Sequence, residues 1–259
     1  MNNRLREVDR IEVLTLMDNY ADVILGNTKV VRRARLAGNG EIFRDTLVGE
    51  HGLSLLVTVR EGRAEHTILF DTGYSAVGVP HNMGHLGLDL KKIEAIALSH
   101  GHMDHLGALN GLLEKMPGPM PVLVHPDAFV SPRYLTRKDG GKDRFPAMLD
   151  RGEIENRGGR IKETATPTLI CEDMIMVSGE VERTTTFERG MPHAVVERNG
   201  KLEKDDNSRQ TQGGTYYPNH NSNLFHCYSP LASLFRFHRG ILPGVIVFQN
   251  WLRTKVTVN

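Results

Sequence analysis

Six consecutive residues constrain this chain more than any other feature: His100-Gly101-His102-Met103-Asp104-His105 crowds three imidazoles and a carboxylate into one stretch. Two different periodicities bracket it. Ile93 to Leu98 is a short continuous apolar run, the pattern of a strand buried on both faces. Leu106, Leu109, Leu112, Leu113 and Met116 follow at helical spacing, and Pro117-Gly118-Pro119 stops that helix. The cluster therefore occupies a strand-to-helix loop.

Neutral imidazoles and carboxylates suit zinc, iron or manganese. In an extended loop His100 and His102 project to the same side and can meet one ion. Asp104 and His105 fall at the start of the following helix, where the chain bends, so they can turn toward a second ion beside the first. Two ions sharing a water would lower its pKa toward neutrality, giving hydroxide as nucleophile while both cations stabilise the oxyanion formed at a carbonyl or phosphoryl centre. Asp104 is thus a candidate catalytic residue as well as a ligand. Gly101 and Gly107 let the backbone pass close to the site. Polar residues on a solvated turn are the plainer account, but four ligands in this context are far more specific than a lone histidine.

Around the cluster, Ile11 to Met17 reads as a strand, and Leu53 to Val59 and Thr67 to Phe70 read as a hairpin joined through Glu61-Gly62. Phe70-Asp71-Thr72-Gly73 closes it with a polar turn. Pro121 to His125 is the next strand, and Ser131 to Arg160, rich in Gly, Lys, Arg and Asp, reads as surface loops. Met174 to Val177, Val181 to Thr185 and a hairpin from Ala194 to Leu202 turning at Asn199-Gly200 restore the β pattern, which ends near Asp205-Asp206. Asn207 to Tyr217 is polar, and Asn219 to Asn259 mixes aromatics, histidines and prolines without a period.

With 259 residues the chain can bury a full core, and one α/β domain is expected. Lysine plus arginine (32) nearly balance aspartate plus glutamate (31), so no overall field favours nucleic acid or an anionic membrane. A small-molecule substrate recognised locally is the expected partner, and the oligomeric state is left open. Met1 to Arg10 is polar, and no run of about eighteen apolar residues follows, which leads to the expectation of a cytoplasmic protein. Cys171 and Cys227 lie far apart and in no CxxC pair, which argues against both a disulfide framework and a thiolate zinc site.

His100-Gly101-His102-Met103-Asp104-His105 resembles the HxHxDH signature of the metallo-β-lactamase superfamily, and Leu69-Phe70-Asp71-Thr72-Gly73 is similar to its upstream strand-turn motif. Asp18-Asn19-Tyr20, Glu50-His51-Gly52-Leu53-Ser54, His81-Asn82 and Leu98-Ser99-His100-Gly101-His102 look more narrowly like the branch named after a dihydropterin ribofuranosylaminobenzene-phosphate synthase. The resemblance runs from about Ile11 to Asp206. It implies an αββα sandwich, two mixed sheets face to face with helices outside and a metal site on the sheet edge. It also implies two divalent ions, zinc first, with iron and manganese as alternatives. His100 and His102 would bind the first, and Asp104 and His105 the second. Asp71 would stand behind them and accept hydrogen bonds that fix the ligand loop.

Residues 1–206 read as the metallo-β-lactamase-like domain and 207–259 as an atypical C-terminal segment of the same domain. The family completes its site with two later histidines, in a Gly-Cys-x-His turn and a Gly-Gly-Phe-His segment, and this sequence has neither motif. The sandwich is therefore expected to be incomplete at its C-terminus. His193, His220, His226 and His238 are the available substitutes, none in the right context. His51 and His125 are candidates to line the pocket, and Glu180 to orient substrate or a ligand. Arg133, Arg137, Lys138, Lys142 and Arg144 are candidates for a phosphate contact, although charge runs in loops are usually solvated.

Three functions follow. The first is a hydrolase using a metal-activated hydroxide on an ester, amide or phosphoester. The second, from the branch resemblance, is metal-assisted condensation of a pterin diphosphate with a ribofuranosylaminobenzene phosphate. The third is an inactive remnant with a half-built metal site, whose uncovered sheets would favour aggregation.

Overall fold

The computed structural model describes residues 5–180 and 193–205, and beyond them only the backbone of three two-residue strands, Phe225–His226, His238–Arg239 and Ile246–Val247. The expected strand from Val181 to Thr185 lies outside the described residues.

The first half of the main sheet is antiparallel. Strand β1 (Arg10–Met17) leads into a long excursion carrying the short hairpin β2 (Ala37–Gly38) and β3 (Glu41–Ile42). The chain then returns as β4 (Ser54–Glu61) and β5 (Ala64–Phe70), a hairpin in full register from Leu55–Phe70 to Glu61–Ala64. Gly62 turns it with φ of 57°, a left-handed value that glycine adopts without cost.

From here the sheet becomes parallel. Helix α1 (Gly78–His85) crosses to β6 (Ile93–Ala97), α2 (Leu109–Leu113) crosses to β7 (Met120–Val124), and α3 (Arg151–Asn156) leads to β10 (Gly159–Glu163). The order across the sheet is β1-β4-β5-β6-β7-β10. Parallel β5, β6 and β7 all end on one edge, where loops of an α/β sheet build ligand sites.

Side chains alternate between the two faces of this sheet. Leu69, Ile96, Val122 and Val124 pack outward against Val79, Met83, Leu109, Leu112 and Ile154 of the helices. Val57, Ile68, Ala97 and Leu123 pack inward against Met174, Ile175 and Val177. Burial on both faces explains the unbroken apolar run of β6. Ile175 and Val177 belong to β12 (Ile175–Val177), which pairs with β11 (Thr168–Ile170) and with Phe225–His226. The fold is the α/β sandwich: helices, a six-stranded sheet, an inner apolar layer and strands of a second sheet.

The stretch from Ser131 to Arg160 corrects the sequence reading. It contains β8 (Arg133–Thr136), β9 (Lys142–Arg144), α3 and the start of β10. β8 and β9 join a separate four-stranded sheet with β13 (Ala194–Arg198) and β14 (Lys201–Lys204), in the order β14-β13-β8-β9. β13 and β14 turn at Asn199-Gly200, both at positive φ (51° and 74°), as the Asn-Gly hairpin signal requires. The expected helix from Leu106 to Met116 is shorter: a single 3-10 turn, Met103–His105, precedes α2. No helix among the described residues is long and apolar enough to cross a membrane.

Candidate metal centre

The ends of β5 and β6 are laced together by their backbones. Thr72 N donates to His105 O at 2.7 Å, Gly107 N to Gly73 O at 2.8 Å, and Leu53 N to Asp104 O at 3.2 Å. The approach is so close that a Cβ on Gly107 would stand 1.8 Å from Tyr74 O, and one on Gly52 2.2 Å from Asp104 O. Glu50 Oε1 accepts from Tyr74 N and Ser75 N, at 3.0 Å each, and fixes the adjoining turn. Gly52 N donates to Asn19 Oδ1 at 3.0 Å, and Asn82 bridges Leu16 O and Val48. The short motifs around Asn19, Glu50 and Asn82 thus serve as the frame of the histidine loop.

On that frame His100, Asp104 and His105 come together, one ligand atom from each lying within 4.8 Å of the others. All are buried. His105 and His100 have ring centroids 4.1 Å apart, closer than His100 and His102 at 4.8 Å. His102 stands beside the triad with its ring stacked on Phe145 at 5.3 Å, and its Nε2 is buried without a hydrogen-bond partner.

Asp71 lies behind the loop, wholly buried, with φ of 57°, a left-handed value that aspartate tolerates better than most residues. One carboxylate oxygen accepts from Ser99 N at 2.7 Å and the other lies 2.7 Å from His105 Nδ1. Ser99 Oγ sits 2.7 Å from His100 Nδ1. Ser99, Glu50 and Phe145 are contacts that sequence reasoning assigned no role. Ser99 lies inside the recognised motif, whereas Phe145 arrives from a segment read as a loop and had no signal.

Burial is the first cause of the charge pattern, with neighbouring charges second. Desolvation, then the charges of His105, His102 and Arg133, holds His100 well below the ordinary histidine value. Desolvation lowers His102 to about 4 against the opposing charge of Asp104. For His105 burial also acts downward, but Asp71 and Asp104 on its two nitrogens outweigh it and raise the group to about 10. Burial would raise Asp104, yet the hydrogen bond and charge of His105 hold its carboxyl far below the usual range.

The remaining candidates divide. His51, half-exposed, places Nε2 3.5 Å from Asp104 Oδ2, at the rim of the cluster. His125, at the end of β7, accepts from Asp127 N through Nδ1 and keeps Nε2 buried without a partner. Burial lowers it first, with the charges of Asp127 and Glu180 opposing. Exposed Glu180 is therefore near His125, not at the triad. His193 is exposed at the start of β13 and joins no metal-ligating group among the described residues. His220 and the side chains of His226 and His238 lie outside the described residues. Of the basic stretch, Arg133 is buried against Asp205 at 3.0 Å, while Arg137 pairs with Asp139 and Asp143.

The sequence model of the metallo-beta-lactamase superfamily matches residues 48–182, which span both the Asp71 turn and the histidine loop. The chain belongs to that superfamily. Among curated proteins, it is 28% identical over 181 residues to the 7,8-dihydropterin-6-methyl-4-(beta-D-ribofuranosyl)-aminobenzene-5'-phosphate synthase of Methanocaldococcus jannaschii, covering 68% of this chain and 52% of that protein. It is 30% identical over 158 residues to an uncharacterized protein of the same organism, covering 61% of this chain and 56% of the relative. The chain spans about half the length of the curated relatives it matches. Among solved structures, the Rm3 metallo-beta-lactamase aligns at 18% identity with a TM-score of 0.34, covering 65% of this chain and 61% of that one. The MIM-2 metallo-beta-lactamase aligns at 18% identity and 0.33, covering 63% and 58%.

Proposed function

We propose that this chain is a metal-dependent hydrolase acting on an ester, amide or phosphoester, with His100, His102, Asp104 and His105 as metal ligands and zinc as the first candidate metal. The single observation that carries the reading is the buried convergence of His100, Asp104 and His105 beside the unpartnered Nε2 of His102. The donor set fits a divalent cation: His100 and His102 are held neutral, Asp104 ionised, and an ion would satisfy the orphaned nitrogen. Iron or manganese would suit the same donors.

Divalent metal at this site would supply an acidified water and a Lewis acid for the oxyanion formed at the substrate. The chain's residues do the rest. Asp71 and Ser99 orient His105 and His100, and His105 would release the Nε2 proton it now shares with Asp104 as a cation arrives. Asp104, held ionised and reached from the rim by His51, is placed to accept a hydrogen bond from water at the cluster. The test is turnover by metal-loaded protein across esters, amides and phosphoesters, compared with His102→Ala. Turnover that the variant abolishes supports the reading, and its absence across all three classes defeats it.

A second reading rests on the similarity to the M. jannaschii synthase, whose name describes formation of a dihydropterin ribofuranosylaminobenzene-phosphate. The same donors would then stabilise a departing diphosphate. Diphosphate release that requires both the pterin diphosphate and the aminobenzene ribose phosphate would select it over hydrolysis.

A further inference from the structure

We infer that His66, Glu94 and Cys171 form a second divalent-cation site, which fastens the two facing sheets together at the end of β5 and β6 remote from the histidine loop. The three residues come from β5, β6 and the turn between β11 and β12, and one ligand atom from each lies within 4.8 Å of the others. His66 precedes Asp71 by five positions, and a rise of about 3.3 Å per residue puts it roughly 16 Å from the first centre.

Each residue is brought there by a local departure from regular structure. The β5–β6 register jumps from Thr67–Ile93 to Ile68–Ala95, which leaves Glu94 without a partner on β5. Such an irregularity re-aims a side chain. Glu94 accordingly sits beside His66 Nδ1, at 2.8 and 3.0 Å from its two oxygens. Cys171, Glu172 and Asp173 are three successive residues at positive φ (54°, 52° and 65°), held by Arg6, whose N donates to Asp173 O at 2.8 Å. Left-handed backbone is unfavourable at each such residue, so a turn of this kind persists because other contacts hold it.

An ion pair between His66 and Glu94 accounts for Nδ1 alone. Nε2 is buried with no hydrogen-bond partner, and Cys171, a free cysteine packed against the inner core, brings its sulfur within 4.8 Å of a ring nitrogen of His66. Burial first, and the charge of Glu94 second, push that thiol up to about 12, so it is no nucleophile on its own account. One imidazole, one carboxylate and one sulfur are a donor set for zinc or another soft divalent ion. Glu94 is exposed, so an ion can enter from solvent and keep water in the remaining position. Cysteine spacing argued against a thiolate site because it looks for paired thiolates. Here the other donors come from distant strands.

The experiment is titration of the full metal-free chain with cobalt(II), reading the near-ultraviolet sulfur-to-cobalt charge-transfer band, to which His100, His102, Asp104 and His105 cannot contribute. The expected result is a saturable band that survives His102→Ala and Cys227→Ser and is lost in Cys171→Ser. Glu94→Gln, at an exposed position, should weaken cobalt binding read by the same band at least tenfold while unfolding as cooperatively as the parent. No band in the parent chain, a band that survives Cys171→Ser or disappears in Cys227→Ser, or unchanged affinity in Glu94→Gln would each overturn the assignment.

Discussion

His105 and Asp71 share a buried hydrogen bond of 2.7 Å between Nδ1 and a carboxylate oxygen whose residue is itself wholly enclosed. A carboxylate in this position fixes the ring and makes the opposite nitrogen a better donor. Asp71→Asn should keep the left-handed backbone, which asparagine also tolerates, and remove the charge. We expect metal affinity to fall by about 10- to 100-fold with the fold retained. Competition against a chromogenic chelator, alongside thermal unfolding, measures both. An unchanged affinity would show that His105 is oriented without Asp71.

The metal-free protein should be most stable near pH 6.5. His102 is lowered to about 4, so below 6.5 the unfolded chain binds a proton that the folded chain refuses, and stability falls as pH drops toward 4. His105 is raised to about 10, so above 6.5 the folded chain keeps a proton that the unfolded chain releases, and stability falls as pH rises toward 10. Thermal midpoints of chelator-treated protein between pH 4 and 10 are the measurement, and His102→Ala should lessen the acid limb, to which His100 also contributes, while leaving the alkaline limb. A monotonic profile would contradict the opposed pair.

Gly107→Ala should destabilise the chain and open the ligand loop. Its Cβ would meet Tyr74 O at 1.8 Å and Ser75 N at 2.8 Å, both backbone atoms that cannot swing aside. A cost of about 3 kcal/mol is at the upper end of ordinary overpacking, and it corresponds to a drop of about 6–12 °C in midpoint. Gly111→Ala is the control. Nothing lies within 4 Å of its Cβ, and inside α2 alanine should gain up to about 1 kcal/mol. Equal midpoints for the two variants would refute the packing account.

What was legible in the sequence follows from burial. β6, buried on both faces, and the β4–β5 hairpin advertised themselves through continuous or alternating apolar residues. β9 is fully exposed, and β10 buries only Gly159, so neither carries a periodic signal, and β9 and the start of β10 were read as loop. Helix α3 has six residues and one buried side chain, Ile154, too few for a period to register. Its readable sign was Asp150, whose side chain accepts from Glu153 N at 2.8 Å, with an acidic residue at the third position as in a capping box. The four candidate ligands were legible because they fall within six consecutive residues. Phe145 beside His102 was not, because only tertiary packing joins them.

The basic stretch from Arg133 to Arg144 should split sharply when its members are removed. Arg133 is almost wholly buried, with Nε 3.0 Å from a carboxylate oxygen of the enclosed Asp205 and Nη2 donating to Asp127 O at 2.5 Å. Arg133→Ala would leave that carboxylate charged and buried, and breaking one side of such a pair costs about 3–5 kcal/mol. The damage should reach the metal centre, because Arg133 also holds the Pro126–Phe129 turn, and Ala128 O of that turn stands only 2.4 Å from where a Cβ on Gly101 would lie. Arg137 faces solvent between Asp139 and Asp143, and its removal should cost no more than about 1 kcal/mol. Urea unfolding of both variants, with metal content measured in parallel, tests the contrast. Equal losses would mean that the Arg133–Asp205 pair contributes no more than a surface contact.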